Sequence, residues 1–156
     1  MLCIARRGGP QAGATALPEN SLAAISRALD LGVKAIEIDV FQVDGELWVT
    51  HDRRLGRVVT GQGIITELSA DYLRRCTLPN GERLPVLGDV LPLVKDKAML
   101  NIEIKGANVV PLLKAQLDAF VVDNQGSYEQ YLVSSFDHHQ LYQSMHLLPN
   151  VLRVVS

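Results

Sequence analysis

The chain has 156 residues, 47% of them hydrophobic, which is enough for one domain with a buried core. The formal net charge of −2 provides no basic field that would attract nucleic acid or an anionic membrane. The two cysteines form neither a disulfide framework nor a metal knuckle, and no run reaches the roughly 20 apolar residues of a membrane helix. We therefore expect a single cytoplasmic domain over residues 1–156 that binds no nucleic acid and has no membrane span.

The first part of the chain alternates short apolar runs with turn residues. Residues 2–5 predict a buried strand, which opens into an arginine- and glycine-rich loop. A helix follows, with its cap at residue 20 or 21 and Gly32 placed to end it. Residues 35–40 predict the second strand, and residues 47–50 the third.

The middle of the chain, residues 53–97, is less regular and is punctuated by glycine and proline. We expect two short helices there. One begins after Ser69, which can serve as its cap, and the other covers residues 86–94, where Pro92 weakens it.

The last part of the chain returns to a regular alternation of strands and helices. Strands are predicted over residues 99–104, 131–136 and 151–155. Helices are predicted over residues 109–122 and 138–147. Strands that alternate with helices favour parallel βα units.

Two of the predicted strands alternate apolar and ionic residues. Side chains at i and i+2 of a strand share a face, so Glu37 and Asp39 lie on one face of the second strand. By the same rule Asn101, Glu103 and Lys105 form a polar row on the fourth. A half-solvated antiparallel strand would show the same alternation, but two such strands together favour a functional site.

In parallel α/β folds the carboxyl ends of the strands form the functional rim. Three carboxylates that converge there repel one another unless a cation lies between them, so Glu37, Asp39 and Glu103 predict a Ca²⁺ or Mg²⁺ site. Arg7 and Lys105 flank it and can bind a phosphate, which points to phosphoryl chemistry. The alternatives are a solvated loop arginine at Arg7 and an ion pair of Lys105 with Glu103 or Glu37.

Several ordered sequence blocks together resemble the glycerophosphodiester phosphodiesterase family. These enzymes are (β/α) TIM-type barrels, in the same superfamily as phosphatidylinositol-specific phospholipase C. The matching blocks are IARRGG (4–9), PENSLAAISRALDLG (18–32), AIEIDV (35–40), THDRRLGRVVTGQG (50–63), LPVLGDVLPLV (84–94), LNIEIK (100–105) and VSSF (133–136).

The resemblance implies metal-dependent hydrolysis of glycerophosphodiesters to an alcohol and glycerol 3-phosphate, with Ca²⁺ or Mg²⁺ as the cofactor. It implies that His51 is one of two histidines that act as general acid and base, and that Arg7 and Lys105 contact the phosphate. The metal ligands that it implies are Glu37, Asp39 and Glu103.

One departure from the family concerns the catalytic histidines. The family's first block reads His-Arg-Gly, whereas this chain has Arg6 at the expected histidine position. Arginine remains protonated and cannot act as a general base. The alternative function is therefore a catalytically impaired protein that binds phosphate or glycerophosphodiesters.

A second departure concerns length. The family's barrel has eight βα units, and this chain stops after the sixth predicted strand, which indicates a barrel truncated after about six units. Open sheet edges invite pairing, so we expect either a homodimer through these edges or a fragment of a longer protein. A structural module that recruits a partner through such an edge is a further alternative.

Overall fold

The computed structural model describes residues 3–12 and 17–156, so residue 2 of the first predicted strand lies outside the described part. The protein has an α/β fold built on one six-stranded sheet. Its strands are β1 (Ile4–Ala5), β2 (Ala35–Val43), β3 (Glu46–Val49), β4 (Met99–Ile104), β5 (Tyr131–Ser135) and β6 (Leu152–Val155). Its α-helices are α1 (Leu22–Asp30), α2 (Ala70–Arg74), α3 (Leu87–Val94), α4 (Val109–Asp123) and α5 (His138–Leu147).

Helices α1 and α2 begin where the sequence predicts caps. Ser21 accepts a hydrogen bond from the backbone N–H of Ala24 at the start of α1. Ser69 and Asp137 cap α2 and α5 in the same way. Each side-chain oxygen satisfies a backbone donor that the first helical turn leaves unpaired.

The strand order is β1-β2-β4-β5-β6, and all four of these pairings are parallel. The third strand differs from the expected series of βα units, because β3 pairs with β2 in antiparallel orientation. The connection between them consists of Asp44 and Gly45, both at positive φ, and two residues suffice only for a hairpin. The parallel part therefore contains five strands, one fewer than the six predicted.

The two faces of the sheet have different neighbours. Ile38 of β2 and Ile102 of β4 belong to the main hydrophobic core, which they form together with residues of α1, α3 and α4. A second, smaller core joins the β2–β3 hairpin to the segment that follows it, with Trp48 and Leu73 at its centre. The opposite face of β2 and β4 carries the acidic residues.

Within the described residues the sheet is open, and β1 and β6 are its two edges. Register places Ile4, Met99 and Leu152 on the same face as the acids, and their side chains are exposed. No helix in the described part of the chain is both long and apolar enough to cross a membrane.

Candidate metal and phosphate site

Three acidic side chains meet on the face of β2 and β4 that lies opposite the main hydrophobic core. Asp39 of β2 lies directly opposite Glu103 of β4, and Glu37 is two residues earlier on β2. One carboxylate oxygen from each residue lies within 4.8 Å of the other two, and all three residues are buried. The predicted convergence of these acids is thus present in the folded chain.

The geometry of this cluster suits a hard divalent cation. Oxygen ligands bind Mg²⁺ or Ca²⁺ at about 2.0–2.6 Å, so two ligands of one ion lie no more than about 5 Å apart. Asp39 is only 1% exposed, and its Oδ1 has no hydrogen-bond partner among the described residues. A carboxylate oxygen buried in this way favours a nearby cation.

Burial also changes the protonation of the cluster. It raises the pKa of Glu37, although the backbone N–H of Arg7 opposes the shift. It raises the pKa of Asp39 as well, against a hydrogen bond from Asn20. Both shifts have the same cause, since a buried carboxylate loses solvation in its charged form.

Lys105 lies just beyond the carboxyl end of β4. Its Nζ donates a hydrogen bond to Oε1 of Glu103 at 3.0 Å and lies 3.7 Å from Oδ1 of Asp39. It also lies 5.6 Å from the centre of the Phe136 ring. The ion pair with Glu103, one alternative from the sequence, is present, and the ammonium group partly neutralises the acids.

Arg7 connects the acid cluster to the histidine. Its backbone N–H donates to Oε2 of Glu37 at 2.7 Å, and its guanidinium contacts Nε2 of His51, also at 2.7 Å. A second guanidinium nitrogen donates to Oε2 of Glu19 at 3.3 Å. Arg7 is therefore half-buried and held at the site, unlike a solvated loop arginine.

The loop that carries Arg7 is fixed by its glycines. Arg7 has φ 50°, and Gly8 follows at φ 75°. A Cβ on Gly8 would lie 2.8 Å from Cγ1 of Ile25 in α1. Glycine is required there, because only glycine adopts this conformation freely and leaves room for the helix.

The contacts of His51 define its tautomer. A guanidinium only donates, so Nε2 of His51 must accept from Arg7. Nδ1 therefore carries the proton and donates it to Oδ1 of Asp52 at 2.8 Å. This arrangement leaves Nε2 of His51 as a hydrogen-bond acceptor beside the guanidinium of Arg7.

Asp52 is expected to stabilise the fold only while it is ionised. Hydrogen bonds from Arg57 and, to a smaller extent, His51 lower its pKa from 3.8 to about 2. An acid with a lowered folded-state pKa stabilises the fold above its unfolded pKa, and this contribution disappears as the pH falls towards the folded value. The difference in unfolding free energy between the wild type and Asp52→Asn should thus shrink between about pH 4 and about pH 2.

Urea titrations of both proteins across this window measure that difference, with the exposed Asp30→Asn as the control. A difference that stays constant down to the lowest pH would contradict the assignment.

Arg6, at the position where the family has histidine, is exposed. Its positive charge acts on Glu37 and tends to lower the pKa of that carboxyl group. The other three histidines lie on the exposed face of α5 and are not among the residues that contact the acid cluster; they are His138, His139 and His146.

The structure adds Asn20 to the site. Asn20 is 2% exposed, its Nδ2 donates to Oδ2 of Asp39 at 3.1 Å, and its Oδ1 accepts from the backbone N–H of Asp39 at 3.4 Å. The sequence indicated only a possible helix cap at this position. Its position two residues after Pro18, in the block shared with the family, was the available signal.

Replacing Asn20 by alanine is expected to destabilise the protein by about 1.5–3 kcal/mol, because a charged acceptor loses a buried hydrogen bond. Asn20 also has φ 59°, which itself disfavours alanine. Asn108→Ala is the matched control, since Asn108 has φ 62° but is exposed and makes no capping hydrogen bond. Urea unfolding of the two variants gives the contribution of the hydrogen bond to the free energy of unfolding. Equal losses of stability in both variants would show that the hydrogen bond contributes nothing.

Known proteins share both the sequence and the fold. The model of the glycerophosphoryl diester phosphodiesterase family matches residues 9–151. A glycerophosphodiester phosphodiesterase from Caldanaerobacter subterraneus is 32% identical over 96% of this chain and 64% of its own length. One from Bacillus altitudinis is 30% identical over 86% of this chain and 59% of its own length.

Solved structures agree with this result. A glycerophosphodiester phosphodiesterase from Agrobacterium tumefaciens superposes with a TM-score of 0.79 at 25% identity, over 96% of this chain and 63% of that protein. A phosphodiesterase from Oleispira antarctica, solved with the product sn-glycerol-3-phosphate, gives 0.79 at 26% identity, over 97% and 64%. The chain thus spans less than two thirds of the length of these relatives. It has the fold of the corresponding part of their TIM-type barrel. The chain belongs to the glycerophosphoryl diester phosphodiesterase family.

Proposed function

We propose that this protein is a phosphoric diester hydrolase that converts glycerophosphodiesters to an alcohol and glycerol 3-phosphate with the help of Ca²⁺ or Mg²⁺. The single observation that carries the proposal is the buried cluster of Glu37, Asp39 and Glu103, in which one oxygen from each residue lies within 4.8 Å of the other two. Two cationic side chains, Arg7 and Lys105, and the imidazole of His51 adjoin it. The family membership supports the same reaction.

The proposed roles follow from these contacts. A divalent ion held by the three acids would supply Lewis-acid polarisation of a phosphoryl oxygen. Lys105 and Arg7 would each exchange a present partner, Glu103 or His51, for the phosphate and offset its negative charge. Nε2 of His51 would then be free to move a proton, while Asp52 holds the imidazole at Nδ1.

The presence of arginine at position 6, where the family has histidine, favours a second function. A permanently protonated side chain at the place of a second acid–base histidine removes one proton-transfer group. It also adds positive charge next to Glu37, which favours binding of an anion. The second candidate is thus a protein that binds phosphate or glycerophosphodiesters and turns them over poorly.

The first test is hydrolysis of glycerophosphocholine with Ca²⁺ or Mg²⁺, measured by the release of choline. We expect turnover that stops on addition of EDTA and returns with the divalent ion. Binding of glycerol 3-phosphate without turnover would support the second candidate. Turnover that persists in EDTA would contradict the metal-dependent mechanism.

A divalent ion is also expected to stabilise the fold. An ion that binds only the folded state at a hundred times its dissociation constant contributes about 2.7 kcal/mol. Thermal unfolding with and without Ca²⁺ or Mg²⁺ should show a higher midpoint with the ion, and Glu103→Gln should reduce the shift. No shift with either ion would favour the alternative of a structural module that recruits a partner.

The open sheet supports a further proposal, that two copies associate through the β1 and β6 edges. The sheet face that carries the acids also exposes apolar side chains next to these edges, including Ile4, Leu152 and Val154. The dimer mass in solution, measured by light scattering, tests this, and Leu152→Lys should shift it to the monomer. A strictly monomeric wild type with cooperative unfolding would contradict the proposal.

The two cysteines, Cys3 and Cys76, are both unpaired, which supports a cytoplasmic location.

A further inference from the structure

Five side chains beside the acid cluster form a closed ring of contacts. Asp52 accepts from His51, and Arg57 donates to Asp52 through Nε at 2.5 Å and through a terminal nitrogen at 3.0 Å. The same Arg57 donates to Oε1 of Glu19 at 2.5 Å and to its Oε2 at 3.4 Å. Glu19 accepts from Arg7, whose guanidinium returns to His51 and closes the ring.

Among the described residues, the hydrogen-bond partners of the Arg57 side chain are Asp52 and Glu19, and the acid cluster is not one of them. Arg57 touches neither His51 nor Arg7 through a hydrogen bond, yet it holds the carboxylate partner of each. Its planar fork holds two carboxylates in a fixed geometry, whereas a lysine ammonium is a point charge on a flexible stem. Removing it would loosen the support of both ring nitrogens of His51 at once.

The loop that carries Arg57 holds it in place. Gly56, at φ 117°, donates its backbone N–H to the carbonyl of Val59, and Leu55 donates to the carbonyl of Gly63. The side chain of Leu55 is buried in the second core. The backbone on which Arg57 stands is therefore anchored independently of the ring.

We propose that Arg57 is a positioning residue, which bridges Asp52 and Glu19 and thereby orients His51 and Arg7 for a phosphodiester. The inference rests on the proposed function and extends it to a residue outside the acid cluster. The Arg57 side chain is 54% exposed, and exposed ion pairs contribute little to stability. Its loss should thus disturb the geometry of the site and remove the stabilisation of ionised Asp52, without unfolding the protein.

The ring nitrogens of His51 report this geometry without any need for turnover. In ¹⁵N-labelled protein, Nδ1 and Nε2 should give separate donor-type and acceptor-type signals, identified by their loss in His51→Gln. In Arg57→Met we expect the two signals to move towards each other, because a loosened imidazole exchanges between tautomers. Arg54→Met, which removes an exposed arginine from the same loop, should leave them unchanged.

The Arg57→Lys variant separates charge from geometry. It retains the positive charge but not the fork, so its His51 signals should lie between those of Arg57→Met and the wild type. Signals in Arg57→Met that match the wild type would overturn the proposal. So would equal shifts in Arg54→Met, or full retention of the wild-type signals in Arg57→Lys.

Turnover of glycerophosphocholine provides the second readout. In Arg57→Met we expect kcat to fall by about tenfold or more with KM changed much less, because misplaced groups act mainly on the transition state. A KM effect alone would overturn the positioning role. If the wild-type protein shows no turnover, the proposed function fails, whereas the His51 signals still decide the role of Arg57.

Discussion

Glu37→Gln is expected to abolish metal-dependent turnover, with a loss of at least about a hundredfold. A bound divalent ion contributes several kcal/mol of transition-state stabilisation, and each 1.36 kcal/mol is about tenfold in rate. Glutamine has nearly the same shape, and its amide oxygen can still accept from the backbone N–H of Arg7. The substitution therefore removes the charge while it keeps the local structure.

The same variant should be at least as stable as the wild type without divalent ions. Burial raises the pKa of Glu37, so the ionised carboxylate destabilises the metal-free fold at neutral pH, and a neutral amide removes this cost. Stability and activity should thus change in opposite directions. The measurements are kcat with the divalent ion present and thermal unfolding in EDTA.

Glu67→Gln is the control for this pair of measurements, because Glu67 is an exposed glutamate and does not belong to the acid cluster. It should leave both turnover and the metal-induced stabilisation unchanged. If Glu37→Gln retained wild-type turnover, or lost stability in EDTA as well, the cluster would have a structural role and no catalytic metal.

Arg6→His is expected to raise turnover, by about 10² to 10⁴ if proton transfer limits the reaction. Arg6 cannot exchange its proton near neutral pH, whereas histidine can serve as acid or base. The position is suitable for such a group, since Arg6 is exposed and its charge acts on Glu37 of the acid cluster. The measurement is kcat for glycerophosphocholine over a range of pH.

Arg6→Gln distinguishes the gain of a proton-transfer group from the loss of a charge. It removes the positive charge without adding an acid or base, so we expect no rise in turnover and weaker binding of glycerol 3-phosphate. Equal gains in both variants would show that the charge of Arg6, and not its inability to transfer protons, limits the reaction. Robust wild-type turnover unchanged by Arg6→His would exclude this position from the chemistry.

Much of the site could be predicted because it depends on local periodicity. The two-residue repeat of a strand places Glu37 and Asp39 on one face wherever the strand lies. The caps at Ser21 and Ser69 also depend only on neighbours in sequence, and both helices begin there. The expectation that the carboxyl ends of parallel strands meet at one rim then connected these acids with Glu103.

Other features depend on contacts between distant segments and could not be predicted from local patterns. The run Glu46–Val49 has the composition of a strand, but only the two-residue turn and the pairing with β2 make it antiparallel. Asn20 is likewise a residue type that is common in turns and helix caps. Its contact with Asp39 arises because α1 and its preceding loop fold over the carboxyl end of β2.

Local geometry and charge are enough to predict which residue types share a strand face, where capped helices begin and which chemistry three carboxylates can support. The folded chain is needed to see that Asp39 lies opposite Glu103, that Arg7 contacts His51, and that Arg57 joins Glu19 to Asp52. These pairings depend on strand register and loop packing. Register and packing are set by burial across the whole core, which no single segment encodes.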